Sequence, residues 1–581
     1  MRRLVRAGPR LVYTRAPHVI VAAQVKILLA WLATGAVLLG VGLAARAPLA
    51  RAADLWSAFW LGFGALLAVL QLWHLILPID DRARIAVVAL GIAGLVLRGP
   101  RSGRLAARAL PRQLPVLVAI AASAWWLSNR SLEGPRFGDT GMYFVPTVRW
   151  LEAYPIVPGL ANLFVPLGHN FSYFLWVALL DVGPFAGRPW HIVNGLLVLA
   201  LISRATLAAA RLLRGTRGPV AVELYWVFAL PALVLLATSI VLTSPTPDLA
   251  VQVLGFVLAG ELLGLLTSER PERGRCLALV FLAAAGLTVK PTLGVLAPAT
   301  IAVAVAWWWW KARPSAAAAL RTAALGAVLA AVPVATWVGR NVITSGCPLY
   351  PSAIGALPVD WRARNDATAW IQRPMEFPLR TLVLDPQWAR KRLESLGWDE
   401  PETEAPVLVF AAALGLMALV RPVRWWRGRK GDVPAVILVP SLLSFAFAFY
   451  NTPMPKYQGA TLWVLAIETL LVGVAGAIAD RRSWARWGAV VVAAAGMSLA
   501  LVRAAPVFLR LDDFEPVSRP QVALRQLPSG LAVQVPVGSD VCSDAPLPCT
   551  PEPHPGLRLR RPGDLGGGFT IDGEADSRDT R

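Results

Sequence analysis

Long apolar runs, separated by short polar connections, make up most of the sequence. Each run approaches the roughly 20 residues that an α-helix needs to cross a bilayer, and shorter runs suffice where neighbouring helices cover them. The pattern predicts an all-α polytopic integral membrane protein with about thirteen or fourteen transmembrane helices. The predicted spans lie at about 19–43, 55–77, 85–97, 114–128, 188–210, 220–242, 249–267, 276–289, 292–310, 318–338, 405–420, 433–450, 459–479 and 487–503.

One long interval in the first half of the chain, residues 129–187, interrupts this pattern. Its apolar part, 171–185, is too short to span and is broken by Gly183–Pro184, which predicts a re-entrant or interfacial segment. Before it, Pro146 is well placed for the first turn of a helix. Three aromatic residues at helical spacing share one face of that helix: Tyr143, Trp150 and Tyr154. This arrangement predicts an amphipathic helix at the level of the lipid headgroups.

The distribution of arginine predicts which connections lie on which side of the membrane. Lys and Arg are in excess on the cytoplasmic side of membrane proteins. Every second connection is basic, and these are 98–112, 211–217, 270–275, 311–321, 421–430 and 481–486. We therefore expect the alternate connections outside, namely 129–187, 243–248, 290–291, 339–404, 451–457 and the tail from residue 504. Three spans before 98–112 would place the arginine-rich residues 1–18 outside as well, against the rule, unless one of those runs does not cross.

Composition and charge limit the class of protein. The chain is 56% hydrophobic and 16% charged, and its mean hydropathy of +0.56 is too high for a soluble protein. A net charge of +21 would indicate nucleic-acid binding in a soluble chain, but here the arginines cluster in short loops between spans, so no nucleic acid is expected. Phosphate-loop, dinucleotide and zinc motifs are missing from the sequence, which gives no support to ATP-driven or dinucleotide chemistry.

The tail and its cysteines complete the predicted organisation. Cys542 and Cys549 are close enough in sequence to close a small loop by a disulfide, which requires an oxidising, external compartment; two free thiols are the alternative. The Pro- and Gly-rich composition of the tail predicts an extended peptide rather than a packed domain. We divide the chain into an N-terminal arm with accessory helices (1–113), a transmembrane core (114–503) and an external tail (504–581).

Polar residues at the predicted outer ends of the spans form the candidate site. Charged groups at membrane depth are costly and are usually functional or paired. Helix capping or pairing with a neighbour explains any one of them, but their common location favours one site. The candidates are Asp139, His169, Asn170, Asp248, Lys290, Arg340, Asn341, Lys456 and Tyr457. Arg149 and Glu152, three residues apart, are expected to form a local helix pair instead.

Three runs resemble a bacterial subgroup related to the GT-C class of glycosyltransferases: GDTGMY…RWLEAYPIVPGLANL, VKPT and RNVITSGCPLYP. Members of this class take a sugar from a polyprenyl-phosphate carrier. The resemblance covers about residues 114–570. It implies that Asp139 is the catalytic carboxylate and that Arg340, Lys290 or Lys456 binds phosphate. The chain departs from the class in its three extra N-terminal runs, and in having Thr140 and Gly141 after Asp139 where some members carry a second acidic residue.

The residue types suit this chemistry. A carboxylate at Asp139 can take the proton of an acceptor hydroxyl, and Lys or Arg can stabilise the leaving lipid phosphate. A single base and a single displacement imply inversion at the anomeric carbon. The expected partners are a polyprenyl-phosphate-linked sugar, a glycan, lipid or protein acceptor, and membrane lipids of the cytoplasmic membrane. A divalent cation held by Asp139, Asp248 and His169 is an open alternative, although these residues are far apart in sequence.

Two other classes of function fit parts of the pattern. A transporter or flippase for a lipid-linked glycan would also use basic residues and an apolar groove, but transporters typically show internal repeats and polar residues at mid-span. No repeat is evident, and the candidate residues lie at span ends. A membrane assembly protein, with the tail as its interaction module, is the third alternative. The pattern favours an enzyme acting at the outer leaflet.

Overall fold

The computed structural model describes residues 17–46, 55–215, 220–363, 433–451, 460–479, 494–498, 500–502, 505 and 520–571. Helices dominate these ranges, and four short strands lie near the C-terminus. The α-helices are α1 (Pro17–Ala45), α2 (Leu55–Trp73), α3 (Asp81–Arg130), α4 (Val145–Ala153), α5 (Leu160–Leu163), α6 (Tyr173–Leu180), α7 (Val193–Leu213), α8 (Val220–Thr238), α9 (Pro247–Leu266), α10 (Arg273–Val289), α11 (Leu296–Ala312), α12 (Ala316–Ser345), α13 (Leu438–Asn451) and α14 (Thr461–Ala479).

Seven helices of the described chain are long and apolar enough to cross a membrane, and two shorter apolar helices lie in 435–448 and 461–473. The prediction of a multi-pass membrane protein is confirmed at this level. The seven are Val19–Ala45, Leu55–Trp73, Pro189–Leu213, Val220–Thr238, Pro247–Leu266, Pro291–Ala312 and Ala316–Ser345. The total of thirteen or fourteen spans stays a prediction, because 405–420 and most of 487–503 lie outside the described residues.

Glycines allow the first helices to pack with their backbones in contact. A Cβ atom at Gly42 would lie 1.7 Å from the carbonyl oxygen of Ala58, and one at Gly62 would lie 1.9 Å from that of Leu38. Between α1 and α3, a Cβ atom at Gly40 would lie 1.9 Å from the oxygen of Gly91. Small residues let transmembrane helices approach closely, and van der Waals packing then holds them together. These glycines thus allow α2 and α3 to lie against α1 at close range.

The two predicted spans at 85–97 and 114–128 belong to one helix, α3, rather than to two helices joined by a loop. A straight helix of 50 residues would be about 75 Å long. Both ends of α3 nevertheless contact α1, since Gly40 lies against Gly91 and Gln24 donates to Trp125 O (3.3 Å). Gly40 and Gln24 are about 24 Å apart along α1, whereas Gly91 and Trp125 would be about 51 Å apart in a straight helix. The helix must therefore bend, as its three prolines allow. These prolines are Pro100, Pro111 and Pro115.

This bend places the basic segment 98–112 away from both ends of α3, and the side of the membrane on which it lies stays a prediction. Helix α1 begins on the same side as the ends of α3, because Gln24 donates to the carbonyl oxygen of Trp125 (3.3 Å) near the end of α3. The two alternatives for the N-terminus, an external arm or an early run that does not cross, both stay open. Residues 1–16 lie outside the described chain.

The C-terminal module, residues 520–571, is a packed unit rather than the expected extended peptide. Strands β1 (Val522–Gln526) and β2 (Ala532–Pro536) form one antiparallel pair, and β3 (Leu557–Leu559) and β4 (Phe569–Ile571) form another. Composition misled the prediction because so small a unit has too little apolar surface to fold alone. Its buried side chains share one core with the amphipathic segment: Leu527, Leu531, Val533, Leu557 and Phe569 pack against Trp150, Val157, Leu160, Leu163, Phe164 and Leu167.

Candidate functional site

The turn that carries Asp139 leads directly into the amphipathic helix. Thr140–Phe144 forms a short π-helix that continues as α4, with Pro146 in the first turn of α4 as predicted. The aromatic face of this segment meets protein rather than the lipid headgroups. Trp150 is buried, and its ring lies 5.7 Å from that of Phe569 in the C-terminal module. The predicted helical spacing of these aromatic residues is correct, but the spacing does not show which part of the protein covers that face.

Residues 243–248, which lead into α9, contact the turn that carries Asp139. The hydroxyl groups of Thr140 and Ser244 are 2.7 Å apart. Asn194, at the start of α7, donates to the carbonyl oxygen of Ser244 (2.7 Å) and so fixes the segment to the helix bundle. Asp139, which is half-buried, therefore lies next to the segment that ends at Asp248.

Asp248 and Lys290 form a largely buried ion pair between the start of α9 and the end of α10. Their side chains are 15% and 13% exposed. Thr246 caps α9 and also donates to Asp248 Oδ2 (2.9 Å), so both oxygens of the carboxylate are engaged. The Lys290 ammonium lies 5.9 Å from the centre of the Phe171 ring. This pair brings together two predicted site residues that are 42 positions apart in sequence.

Arg340 is the central cation of the site and is 2% exposed. Its Nε donates to Asn170 Oδ1 (2.9 Å), and its Nη1 donates to His74 Nδ1 (2.9 Å). Among the described residues its Nη2 has no hydrogen-bond partner, and no carboxylate forms an ion pair with this guanidinium. A buried charge without a counter-ion is costly unless a ligand or solvent compensates it. The structure therefore presents a guanidinium with one unused edge.

His74 and Asn170 fix the orientation of Arg340. Because arginine only donates hydrogen bonds, Nδ1 of His74 is an acceptor and its Nε2–H donates to the carbonyl oxygen of Tyr154 (3.1 Å). Burial, and then the charge of Arg340, hold the pKa of His74 well below its ordinary value, so the ring is neutral. The Asn170 amide is fixed by Trp337, since its Nδ2 donates to Trp337 O (3.1 Å) and Trp337 Nε1 donates back to Asn170 O (2.8 Å).

His169 lies among aromatic rings beside these groups. It stacks on Phe171 with ring centres 5.1 Å apart and planes at 12°, and it contacts Tyr350 and Tyr143 at 5.6 and 6.1 Å. Burial lowers the pKa of His169 to about 3, and Lys290 contributes further to that shift. His169 is therefore a neutral donor or acceptor and not a second cation.

A small cavity of about 30 Å³ lies between His74, His169, Asn170 and Arg340. A volume of this size admits one or two water molecules, whereas a sugar or a lipid phosphate needs more room. Its polar wall is formed by His74, Thr147, His169, Asn170, Arg340 and Thr344, and the remaining wall is apolar or aromatic. An anionic group attached to an apolar chain is the kind of ligand that matches such a lining.

The other predicted site residues lie elsewhere. Asn341 donates to Pro348 O (2.9 Å) and holds the turn that follows α12. Lys456 and Tyr457 lie outside the described residues. As for the alternative of a divalent cation, within the described ranges no group of three or more His, Cys, Asp or Glu side chains could hold a metal ion.

The expected pair between Arg149 and Glu152 is replaced by longer-range partners. Glu152 Oε1 accepts from Arg84 Nη2 (3.0 Å), while Arg149 pairs with Asp544 in the C-terminal module. Burial, and then the neighbouring Asp181, raise the pKa of Glu152 to about 8. Spacing along the helix made a local pair plausible, but tertiary packing supplied nearer partners for both residues.

Sequence reasoning missed His74, because the first 113 residues were assigned to accessory helices. A signal was available: His74 ends the apolar run LAVLQLW at the membrane boundary that carries the other candidates. Trp337 was missed as well, since a tryptophan near the end of an apolar run is typical of an interfacial anchor.

Comparison with known proteins gives one relationship. No curated protein and no solved structure matches this chain. A family model described as a domain of unknown function (DUF8201) matches residues 25–463, well over half of the chain. The match includes all the residues around Arg340 and ends before the C-terminal module. The chain thus belongs to the DUF8201 family.

Proposed function

We propose that the protein is an inverting glycosyltransferase that moves a sugar from a polyprenyl-phosphate carrier to a glycan, lipid or protein acceptor at the outer face of the cytoplasmic membrane. The observation that carries the proposal is Arg340, a buried guanidinium with an unused edge in a cavity that is otherwise mostly apolar. Its position at the end of α12, a candidate membrane span, suits a ligand that arrives from the bilayer.

A lipid phosphate fits this site better than a soluble anion does. Guanidinium groups bind phosphate through charge-assisted hydrogen bonds, and Arg340 is held in one orientation by His74 and Asn170. The aromatic and aliphatic wall would cover the first isoprene units, whose burial adds to affinity. Since the cavity is small, binding of the carrier requires part of its wall to move.

The transfer step needs a base and a stabilised leaving group. Asp139 is half-buried in a turn beside the segment that leads to Asp248, and its carboxylate would accept the proton of the acceptor hydroxyl. The acceptor oxygen then bonds to the anomeric carbon as the bond to the phosphate oxygen breaks. Arg340 would stabilise the charge that develops on the departing polyprenyl phosphate. One displacement with one base inverts the anomeric centre.

Binding of the carrier is the first test. Polyprenyl phosphate should bind purified protein in nanodiscs, and Arg340→Gln should weaken that binding roughly 10- to 100-fold, the equivalent of one lost charge-assisted hydrogen bond. Arg204→Gln is the control, because Arg204 is a largely buried arginine that already pairs with Glu223 (2.8 Å). Equal affinity in wild type and Arg340→Gln would overturn the phosphate assignment.

Transfer is the second test. With polyprenyl-phosphate hexose and pentose donors, Asp139→Asn should keep carrier binding but reduce turnover about 10²- to 10⁴-fold, as expected for loss of a general base. Glu152→Gln should leave turnover close to wild type. Unchanged transfer in Asp139→Asn would remove the proposed base. Carrier binding without transfer of any sugar, together with movement of lipid-linked glycan across vesicles, would favour the transporter alternative.

A further inference from the structure

The C-terminal module contacts the turn that carries Asp139. The amide of Ser543 donates to Gly141 O (2.7 Å), two residues after Asp139. A Cβ atom at Gly141 would lie 2.5 Å from Val541 Cγ1, so a larger residue there would displace the module. Ser543 has a positive φ of 41°, a conformation that a non-glycine residue adopts only where its surroundings enforce it.

A disulfide closes the loop that makes this contact. Cys542 and Cys549 are bonded to each other and are 1% and 3% exposed. The residues between them, 543–548, are therefore held as a short closed loop, which has few alternative conformations. The bond thereby presents the Ser543 amide to Gly141 in a fixed position.

An ion pair joins the same loop to α4. Asp544 pairs with Arg149 in α4, and the two side chains are 21% and 35% exposed. Arg149 Nη1 also approaches the carbonyl oxygen of Asp544 (3.4 Å). The loop thus binds both the π-helix at Gly141 and the middle of α4.

The opposite edge of the module is bound to two further outer segments. The Phe569 amide donates to Pro158 O (2.9 Å). Gly159 has a φ of +65°, and a Cβ atom there would lie 2.1 Å from Phe569 O. Arg560 Nε pairs with Asp360 Oδ2 (2.7 Å) in the segment after α12. Through these contacts one module connects parts of the chain that are more than 200 residues apart.

We infer that the C-terminal module is a positioning clasp, which holds the Asp139 turn and α4 in place through its disulfide-closed loop 542–549. The clasp lies outside the residues matched by the family model, which end at 463. It adds a positioning element that the matched region does not contain. Any effect of the clasp on sugar transfer rests on the proposed function, whereas the clasp itself does not.

Hydrogen–deuterium exchange of the full chain in nanodiscs tests the clasp without any activity assay. Backbone amides at 140–150 should exchange at least about tenfold faster in the Cys542→Ser/Cys549→Ser variant than in wild type, because local opening there becomes easier. Arg525→Asp in exposed β1 is the control and should leave that segment unchanged. A thermal unfolding scan checks that each variant is folded. Wild-type exchange in the variant without the disulfide would overturn the inference.

Two designed pairs exclude a general loss of stability. Gly141→Ala should accelerate exchange at 140–150, and Val541→Ala in the same chain should restore protection by making room for the new methyl group. For the ion pair, Arg149→Gln, Asp544→Asn and the double variant should all give the same acceleration, as coupled residues do. Comparing the single variants with the double variant is needed because Arg149 also faces Glu152 and Asp181. Additive effects, or no rescue by Val541→Ala, would contradict the clasp.

The same variants separate the clasp from the proposed function. Faster exchange with reduced turnover supports both. Faster exchange with unchanged transfer supports the clasp and removes the need for a fixed Asp139. Unchanged exchange overturns the clasp, whatever Asp139→Asn does to transfer.

Discussion

Nδ1 of His74 lies 2.9 Å from Nη1 of Arg340, which joins the C-terminal end of α2 to the C-terminal end of α12 across 266 residues of sequence. The neighbouring amide of Ile156 also donates to the carbonyl oxygen of His74 (3.0 Å). His74 is therefore bonded to the central cation on one side and to the segment after α4 on the other. His74, from the first part of the chain, thus helps to fix the orientation of the Arg340 guanidinium.

Replacing His74 should test this role. His74→Leu removes the acceptor and leaves Nη1 of Arg340 unsatisfied, at a cost of about 1–3 kcal/mol in the free energy of unfolding. Binding of polyprenyl phosphate should weaken as well, because Arg340 is no longer held in one orientation. His74→Asn keeps an acceptor oxygen near the Nδ1 position and should recover much of both losses. Thermal unfolding and carrier binding measure the effect, and equal behaviour of the two variants would contradict it.

The raised pKa of Glu152 predicts a pH dependence of stability. Its pKa of about 8 in the folded protein exceeds the ordinary value of 4.5. Between these two pH values the carboxyl group is protonated in the folded state and ionised in the unfolded state. Stability should fall as the pH rises from about 5 to 8, by on the order of a few kcal/mol, since each pKa unit is worth about 1.4 kcal/mol.

Glu152→Gln, which resembles the protonated carboxyl group, should flatten that dependence. Asp181, whose pKa burial raises to about 6, remains in both proteins and accounts for a smaller fall at lower pH. Unfolding midpoints of wild type and Glu152→Gln across pH 5 to 8.5 provide the comparison. Identical slopes would show that Glu152 is ionised throughout.

The largely buried ion pair between Lys290 and Asp248 should contribute to stability. Lys290→Met leaves the Asp248 carboxylate without its cation and should destabilise the protein by about 3–5 kcal/mol. The double variant Lys290→Met/Asp248→Leu should be less destabilised than the single one, because no uncompensated charge remains. Thermal unfolding of the two variants decides the matter. A double variant less stable than Lys290→Met would contradict this account, because the hydrogen bond from Thr246 would then be enough to stabilise the Asp248 carboxylate without Lys290.

The orientation of the bundle can be tested at two exposed positions. Ile354, 72% exposed, follows α12 on the side of the site, and Leu213, 88% exposed, ends α7 on the opposite side. Ile354→Cys should react with an impermeant thiol reagent in cells with a permeabilised outer membrane, whereas Leu213→Cys should react only after lysis. The native thiols Cys276 and Cys347 are buried and give a low background. The reverse pattern would invert the proposed topology.

Some features of this protein follow from local sequence. Run length and hydropathy determine that helices such as α8 and α9 form in a membrane, because the bilayer requires every backbone group to be paired within its own helix. Pro146 and the glycines around Asp139 determine a turn followed by a helix. These rules act over a few residues, so the sequence alone predicts them.

Other features depend on which helices pack together. Nothing in the sequence near Arg340 shows that its partners are His74 and Asn170, and the composition of the tail does not show that Phe569 would pack on Trp150. Local periodicity specifies which face of an element is apolar but not what covers it. The site and the clasp are built from contacts between distant segments, whose choice depends on close packing of the whole bundle, and only the tertiary structure shows it.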